Sequence, residues 1–534
     1  MAALLALLAL APAASGAEVS LAPAQPVAEA NEAIALLAGP AQAREADDMV
    51  ESIGVNTHLG YTDTPYNDFA AVQQRLEELG IRYVRDGLSQ NRPDVYQRMR
   101  ELAADGIHLD VIAGDPLQRW NIGTIDQQLD LIQKELDGAV VSIEGPNEYD
   151  LQGDPNWVPV LRDYTQQLWE GVKARPALAE LPVVGPSIVG RDGMADVGDL
   201  APWTDFGNTH TYLSGAMPET PSIWDGELTA AAHNSGSQPV QVTETGYHNG
   251  VNGTVGHQPA SERAAGVYMP RLFLDNFRRG IARSYSYELL DQREDPSKTD
   301  IEAAFGLLRN DLSKKPAAVA IERLTGLLSD PGPAFAPGEL EYRLEGAPAT
   351  VQQLLLQKRD GSFYLVLWNR VSVWDPATRS DLDPPDVPIA VDFGQPIASA
   401  EVFEPNAAAA PSATAANPSS LPLDLSAQVQ VVRLVPKPAP AGEPTPPPST
   451  PPTTPSPPPV RPSVPAPTPK PVAAAVAAPS ETPAAQQPAP WWPTAPAATA
   501  TGAPESQVWI PPQKKAQKQK AKKHRKHRHH RASR

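Results

Sequence analysis

The sequence predicts a (β/α)8 barrel of the TIM type, followed by a small antiparallel β-sandwich and an extended Pro-rich tail. Three observations carry this. Short β-branched runs alternate with amphipathic helical patterns from about Met49 to Ser329. From about Glu339 to Leu434 the pattern shifts to short strands joined by turns. From about Pro436 to Pro512 the chain is mostly Pro, Ala, Thr and Ser.

In the first region Ile53-Gly54-Val55 opens a strand, and Phe69, Val72, Leu76 and Leu79 then recur at helical spacing. Ile81 to Arg85 is the second strand, with Val95, Met99 and Leu102 marking the next helix. Ile107 to Ala113 is the third, backed by Ile125, Leu129, Ile132 and Leu136. Five more strands follow at Ala139 to Ile143, Pro182 to Gly185, Asp205 to Thr209, Val240 to Thr243 and Ile281 to Tyr285. The clearest helix is Glu262 to Arg279, and the stretch after the fifth strand shows the weakest pattern. Eight such units in about 280 residues fit a closed barrel. A doubly wound open sheet is the alternative, but the first turn lacks a Gly-rich phosphate loop. The resulting division is 1–17 signal peptide, 18–48 N-terminal extension, 49–330 barrel, 337–435 sandwich, 436–512 Pro-rich linker and 513–534 basic tail.

Composition narrows the chemistry. With no Cys among 534 residues there is no disulfide framework, thiolate metal site or cysteine nucleophile. The net charge is −18, yet the 21 residues from Lys514 hold 11 Lys and Arg and no acid, so the rest of the chain carries −29. An acidic body of this kind is a poor nucleic-acid binder. Ala2 to Ala14 is apolar and runs into Ser15-Gly16-Ala17, which predicts a secretory signal cut after Ala17. The protein is expected to be secreted, without a membrane span, and monomeric. The Pro-rich segment reads as a spacer, and the basic tail as a solubility tail, an electrostatic anchor to an anionic cell-envelope polymer or a nucleic-acid contact.

Barrels place chemistry at the C-terminal ends of their strands. Strand four runs into Gly145-Pro146-Asn147-Glu148, and strand seven into Thr243-Glu244-Thr245-Gly246. Glu148 and Glu244 would then face each other across the barrel mouth. Two facing carboxyls suit attack on a glycosidic bond, one protonating the leaving oxygen and the other attacking the anomeric carbon, at a separation of about 5–5.5 Å. A single strand-end Glu would more often be a loop salt bridge. Here each of the pair follows its own apolar strand.

These two stretches resemble the acid/base and nucleophile strands of the retaining glycoside hydrolases of clan A, and the barrel is similar to glycoside hydrolase families 5 and 39. The resemblance implies Glu148 as general acid/base, Glu244 as nucleophile and Asn147 as a hydrogen-bond partner of the sugar 2-hydroxyl. It implies an oligo- or polysaccharide substrate and no cofactor or metal. Arg85, at the end of strand two, matches an Arg near the nucleophile. His210 and Tyr212 follow strand six and could orient Glu244, and His58 follows strand one and could reach a sugar hydroxyl. Strand eight departs from the clan's pattern, with Tyr285-Ser286-Tyr287-Glu288 where a Trp usually forms the sugar floor. Glu288 counts among the candidate sugar contacts. Trp120, Trp157 and Trp224 are candidate cleft walls, although a Trp opening a helix more often packs on the barrel. Two other readings stay open. One is a non-catalytic surface glycan-binding protein on a barrel scaffold. The other is a metal-dependent hydrolase using His58, His210 and His248.

Overall fold

The computed structural model describes residues 40–119 and 121–438. The expected signal peptide, most of the Pro-rich linker, the basic tail and Trp120 lie outside the described residues.

Eight parallel strands form the barrel: β1 Ile53–Asn56, β2 Tyr83–Gly87, β3 His108–Ile112, β4 Val140–Glu144, β5 Val183–Val184, β6 Gly207–Tyr212, β7 Val240–Gly246 and β8 Arg283–Ser286. Their order around the sheet is β5-β4-β3-β2-β1-β8-β7-β6. A parallel bridge between Val184 and Phe206 closes the ring. All four residues of β1 are buried, as helices cover the outer face of a barrel strand and side chains fill the interior. Gly54 is required there: a Cβ would fall inside the ring of Tyr285, which fills the barrel beside it.

The helices are α1 Phe69–Glu78, α2 Pro93–Ala104, α3 Ile125–Glu135, α4 Trp157–Ala174, α5 Arg191–Val197, α6 Pro221–Ser235, α7 Glu262–Arg278 and α8 Pro316–Leu328. Their starts are written locally. Asp68 caps α1 and Ser261 caps α7, while Thr124 and Gln127 form a capping box on α3. Proline opens α2, α6 and α8, where the missing N–H has no helical partner to lose. The weak pattern after strand five corresponds to α5, only 7 residues long.

Two strands differ from the sequence expectation. β2 runs two residues further along the chain, so Arg85 sits at its centre rather than its end. β7 extends to Gly246, so Glu244 lies within the strand. In both, polar side chains point into the top of the barrel, and apolar periodicity fades there while the backbone ladder continues.

The second layer is a sandwich of a three-stranded and a six-stranded sheet. β9 Tyr342–Glu345, β12 Val387–Phe393 and β15 Ser420–Leu425 form the first. The second has the order β14 Ala413–Ala416, β13 Ile397–Phe403, β16 Gln430–Pro436, β11 Phe363–Asn369 and β10 Val351–Gln357, ending on Arg44–Glu45. Leu355, Leu365, Val391, Ile397, Val432 and Leu434 are buried in its core. Residues 41–48, placed in an N-terminal extension by the sequence, are built into the fold. Ala41–Gln42 pairs with Glu339–Leu340, Arg44–Glu45 adds a parallel strand to β10, and the helix Ala46–Glu51 leads into β1. Helix α7 is buried along most of its length because the sandwich covers its outer side, with Arg271 donating to Val371 O and Tyr268 bonded to Ser372.

Candidate active site

The end of β4 is bent sharply by its own sequence. Gly114, after β3, lets the backbone of Pro146 lie against it, since a Cβ there would collide with the Pro146 Cα. Asn147 then bridges to Ser187. The Glu148 N–H donates to both the carbonyl and the hydroxyl of Ser187, each at 3.1 Å. Glu148 itself adopts φ of 45°, a left-handed conformation that costs a non-glycine residue of order 1–3 kcal/mol and is common at functional sites. The bend turns its carboxyl toward β6 and β7.

Arg85 organises the barrel mouth. Its Nε and Nη2 grip Glu144 at 2.6 and 2.8 Å, and Nη1 donates to Glu244 at 2.9 Å and to Asn56 Oδ1 at 2.8 Å. Nη2 also donates to Asn147 Oδ1 at 2.6 Å, leaving the Asn147 amide N–H groups for a ligand in the pocket that this residue lines. Tyr212 donates its hydroxyl to the second oxygen of Glu244 at 2.7 Å. His210 places Nδ1 at 2.8 Å from Glu148 and 3.6 Å from Glu244, with Nε2 at 3.1 Å from Thr243 Oγ1. One ligand atom each of Glu148, His210 and Glu244 lies within 4.8 Å of the others.

The electrostatics divide these groups. Burial pushes the Glu244 pKa up, but the charges of His210 and Arg85 and the hydrogen bonds from Tyr212 and Arg85 outweigh it, so the carboxyl is held below its ordinary value and ionised. Burial opposes a charge on His210, yet Glu244 and Glu148 lift its pKa. His58 goes the other way: burial lowers it to about 3, leaving a neutral ring.

A pocket of about 710 Å³, its open mouth included, is lined by Asn56, His58, Arg85, Asp86, Asn147, Glu244 and Tyr287, among others. His58 stacks on Tyr61 with ring centroids 4.4 Å apart and meets Tyr287 edge-on at 5.9 Å. Glu288 differs from its expected role as a sugar contact. It is fully buried and outside the pocket lining, with its oxygens accepting from Gln292 and Tyr66. Burial raises its pKa well above the carboxylate range, so it is a neutral brace behind His58, whose Nε2 lies 3.4 Å away. Tyr287 is the strand-eight residue that lines the cleft. Neither described Trp walls it. Trp224 is fully buried with its N–H on Pro218 O, and Trp157 packs into a cluster with Tyr149, Leu161 and Ile188.

Among the described residues the close acid–histidine set is Glu148, His210 and Glu244. It fits a metal poorly, because both Glu244 oxygens already accept from Arg85 and Tyr212. His248 is turned away, with Nε2 on the His257 carbonyl. The sequence reading missed Asn56, Glu144, Asn208 and Thr243. Asn208 donates to Glu144 and accepts from Thr243, and Asn56 donates to the Thr243 carbonyl. Their shared signal is a polar residue within a buried barrel strand, where an apolar one is the default.

No protein-family model and no curated protein sequence matches the chain. Solved structures do. One is a family 39 glycoside hydrolase from the gut symbiont Bacteroides cellulosilyticus, with TM-score 0.52 and 17% identity, covering 72% of this chain and 82% of that one. Another is a monomeric beta-xylosidase from Caulobacter crescentus, with TM-score 0.50 and 16% identity, covering 75% of this chain and 98% of that one. The chain therefore shares the fold of these glycoside hydrolases.

Proposed function

We propose that the protein is an exported retaining glycoside hydrolase that works by double displacement, with Glu244 as nucleophile and Glu148 as acid and base. The observation that carries this reading is the pair of carboxyls from β4 and β7. Their nearest oxygens lie within 4.8 Å of each other, with His210 Nδ1 beside both, a spacing that suits direct attack rather than the wider gap of an inverting enzyme. Glu244 Oε bonds to the anomeric carbon as the glycosidic C–O bond breaks, and Glu148 gives its proton to the departing oxygen. Water then attacks the same carbon, giving a proton to Glu148 and releasing the Glu244 carboxylate. Arg85 and Tyr212 hold Glu244 in line, and Asn147 offers its amide donors to the sugar. The fold shared with a protein named as a beta-xylosidase makes aryl β-xylosides the first substrates to try.

The test is the anomer formed first from an aryl glycoside, followed by proton NMR. Retention is expected, and inversion would overturn the double displacement. Glu148→Ala should keep the first step on substrates with good leaving groups and regain turnover with azide, giving a glycosyl azide of retained configuration. Glycan binding without turnover on any substrate would favour the non-catalytic reading instead. Export rests on Ala2 to Ala17, and a chain that stays inside the cell still carrying these residues would refute it.

A further inference from the structure

The hairpin between β11 and β12 leaves the sandwich and reaches the barrel. Its arms are Trp374–Asp375 and Ser380–Asp381. At its tip Arg379 donates to the Val251 carbonyl at 2.8 Å and reaches Gln258 at 3.5 Å. Ser261, which caps α7, donates to Asp381. On the other arm, Trp374 and Pro376 pack so closely on Gly215 that a Cβ there would lie 3.4 and 3.1 Å from them. The hairpin thus grips two barrel loops at once, the one after β6 and the one after β7.

Those loops meet at His257. Its carbonyl accepts from His248 at 2.8 Å, and its Nδ1 lies 3.0 Å from Ser214 Oγ. Its ring stacks on Tyr212, with centroids 4.7 Å apart and planes 26° from parallel. Phe305 meets Tyr212 edge-on at 5.6 Å. The ring whose hydroxyl donates to Glu244 is therefore held by His257 and Phe305, and His257 is held in turn by Ser214 and the clasped loop. Burial lowers the His257 pKa, so the ring is neutral and acts through packing and a hydrogen bond.

We propose that His257 is a positioning residue for Glu244, acting through Tyr212, and that the sandwich hairpin holds it in place. This gives the sandwich a part in setting the geometry of the reacting carboxylate. It rests on the reading of Glu244 as nucleophile. A tyrosine hydroxyl follows its ring, and the geometry of an attacking group tolerates little slack: an error of about 1 Å can cost a hundredfold in rate.

The experiment uses the full chain and an aryl glycoside that the wild type turns over. His257→Ala should lower kcat by about 10- to 100-fold, with KM changed less than about threefold. His257→Phe keeps a ring on Tyr212 and should recover most of the loss. Arg379→Ala should lower kcat by about fivefold in the wild-type background and have almost no effect on top of His257→Ala, because both act through one contact. Arg343→Ala, at an exposed ion pair on β9, is the control and should change nothing. Full multiplication of the Arg379 and His257 effects would overturn the clamp, as would a loss in KM alone. A second readout needs no turnover. With 3-fluorotyrosine incorporated, the Tyr212 fluorine resonance, assigned by its loss in Tyr212→Phe, should shift in both His257→Ala and Arg379→Ala. If the wild type cleaves no glycoside, the hydrolase reading fails, and the fluorine spectrum alone decides: an unmoved resonance in Arg379→Ala refutes the clamp.

Discussion

Two buried arginines in this chain hold carboxylates in opposite ways. At the seam between barrel and sandwich, Arg271 grips Glu219 through Nε and Nη2 at 2.8 and 2.6 Å. Its remaining donors reach the Val371 and Ala427 carbonyls, and Trp368 adds its N–H to Glu219 at 2.6 Å. One cation meets one anion, and both side chains are at most 1% exposed. At the mouth, Arg85 is shared between Glu144 and Glu244, with Asp110 opposite it on β3 and Glu148 beyond His210. Acid outnumbers base there, and Glu244 also faces an open pocket. The seam is balanced and closed, as a structural ion pair must be if it is not to cost stability. The mouth gathers more acids than bases where a substrate enters, and burial with a neighbouring carboxylate keeps Asp110 protonated there, so its arrangement serves chemistry more than stability.

Substitution should separate the two. Glu244→Gln removes the nucleophile and should lower turnover by about 10⁴-fold or more. It also removes an anion that, against its burial, His210, Arg85 and Tyr212 hold below its ordinary pKa, so the midpoint of thermal unfolding should fall, but by less than in a seam variant, because other acids crowd the same cluster. A fall in stability comparable to that of a seam variant would break the distinction. Glu219→Gln should do the reverse. It leaves Arg271 buried without its anion and should cost about 3–5 kcal/mol in denaturant unfolding. Its kcat, corrected for the folded fraction, should stay within about threefold of wild type.

The two clusters also differ in how far the sequence announces them. Glu148 and Glu244 follow apolar strands, and a barrel brings such strand ends together, so the strand pattern nominates them; Arg85 comes only from the family resemblance, and it sits at the centre of β2. Arg271 and Glu219 are 52 residues apart, one inside a helix and one in a loop, and no local pattern links them. Most of the sandwich strands are legible as short apolar runs between turns, but Ala413–Ala416 and Ser420–Leu425 are not among them. The parallel strand that Arg44–Glu45 adds is not legible either, because two residues carry no periodicity. Glu288 shows another limit. It follows strand eight as Glu148 follows strand four, but its side chain turns behind the pocket wall, and strand-end position does not encode that direction. Trp224 lies near a loop, where an indole is open to stacking by position alone. The Pro218 carbonyl and the apolar core claim it instead.

The crowding of acid at the mouth should leave a signature in pH. Asp110 is fully buried, in register with Arg85 on one side and Ser142 on the other. Burial, then the charge of Glu144, raises its pKa to about 7, against the pull of the Ser142 hydrogen bond and Arg85. In the unfolded chain the group titrates near its ordinary value of 3.8. Between these two values the folded protein keeps a proton that the unfolded chain has lost, so this group's contribution to stability falls as pH rises from about 4 to about 7 and is level outside that window. An amide in place of this carboxyl cannot titrate. The stability of Asp110→Asn relative to wild type should therefore climb across that window, by on the order of 1–4 kcal/mol in total, and level off above it. Denaturant melts of both proteins at pH 4, 5.5, 7 and 8 give the difference directly. Parallel curves would mean that Asp110 is already ionised in the folded barrel, with Arg85 stabilising three buried carboxylates at once, and the account of a mouth crowded enough to keep one of its carboxyls protonated would have to be given up.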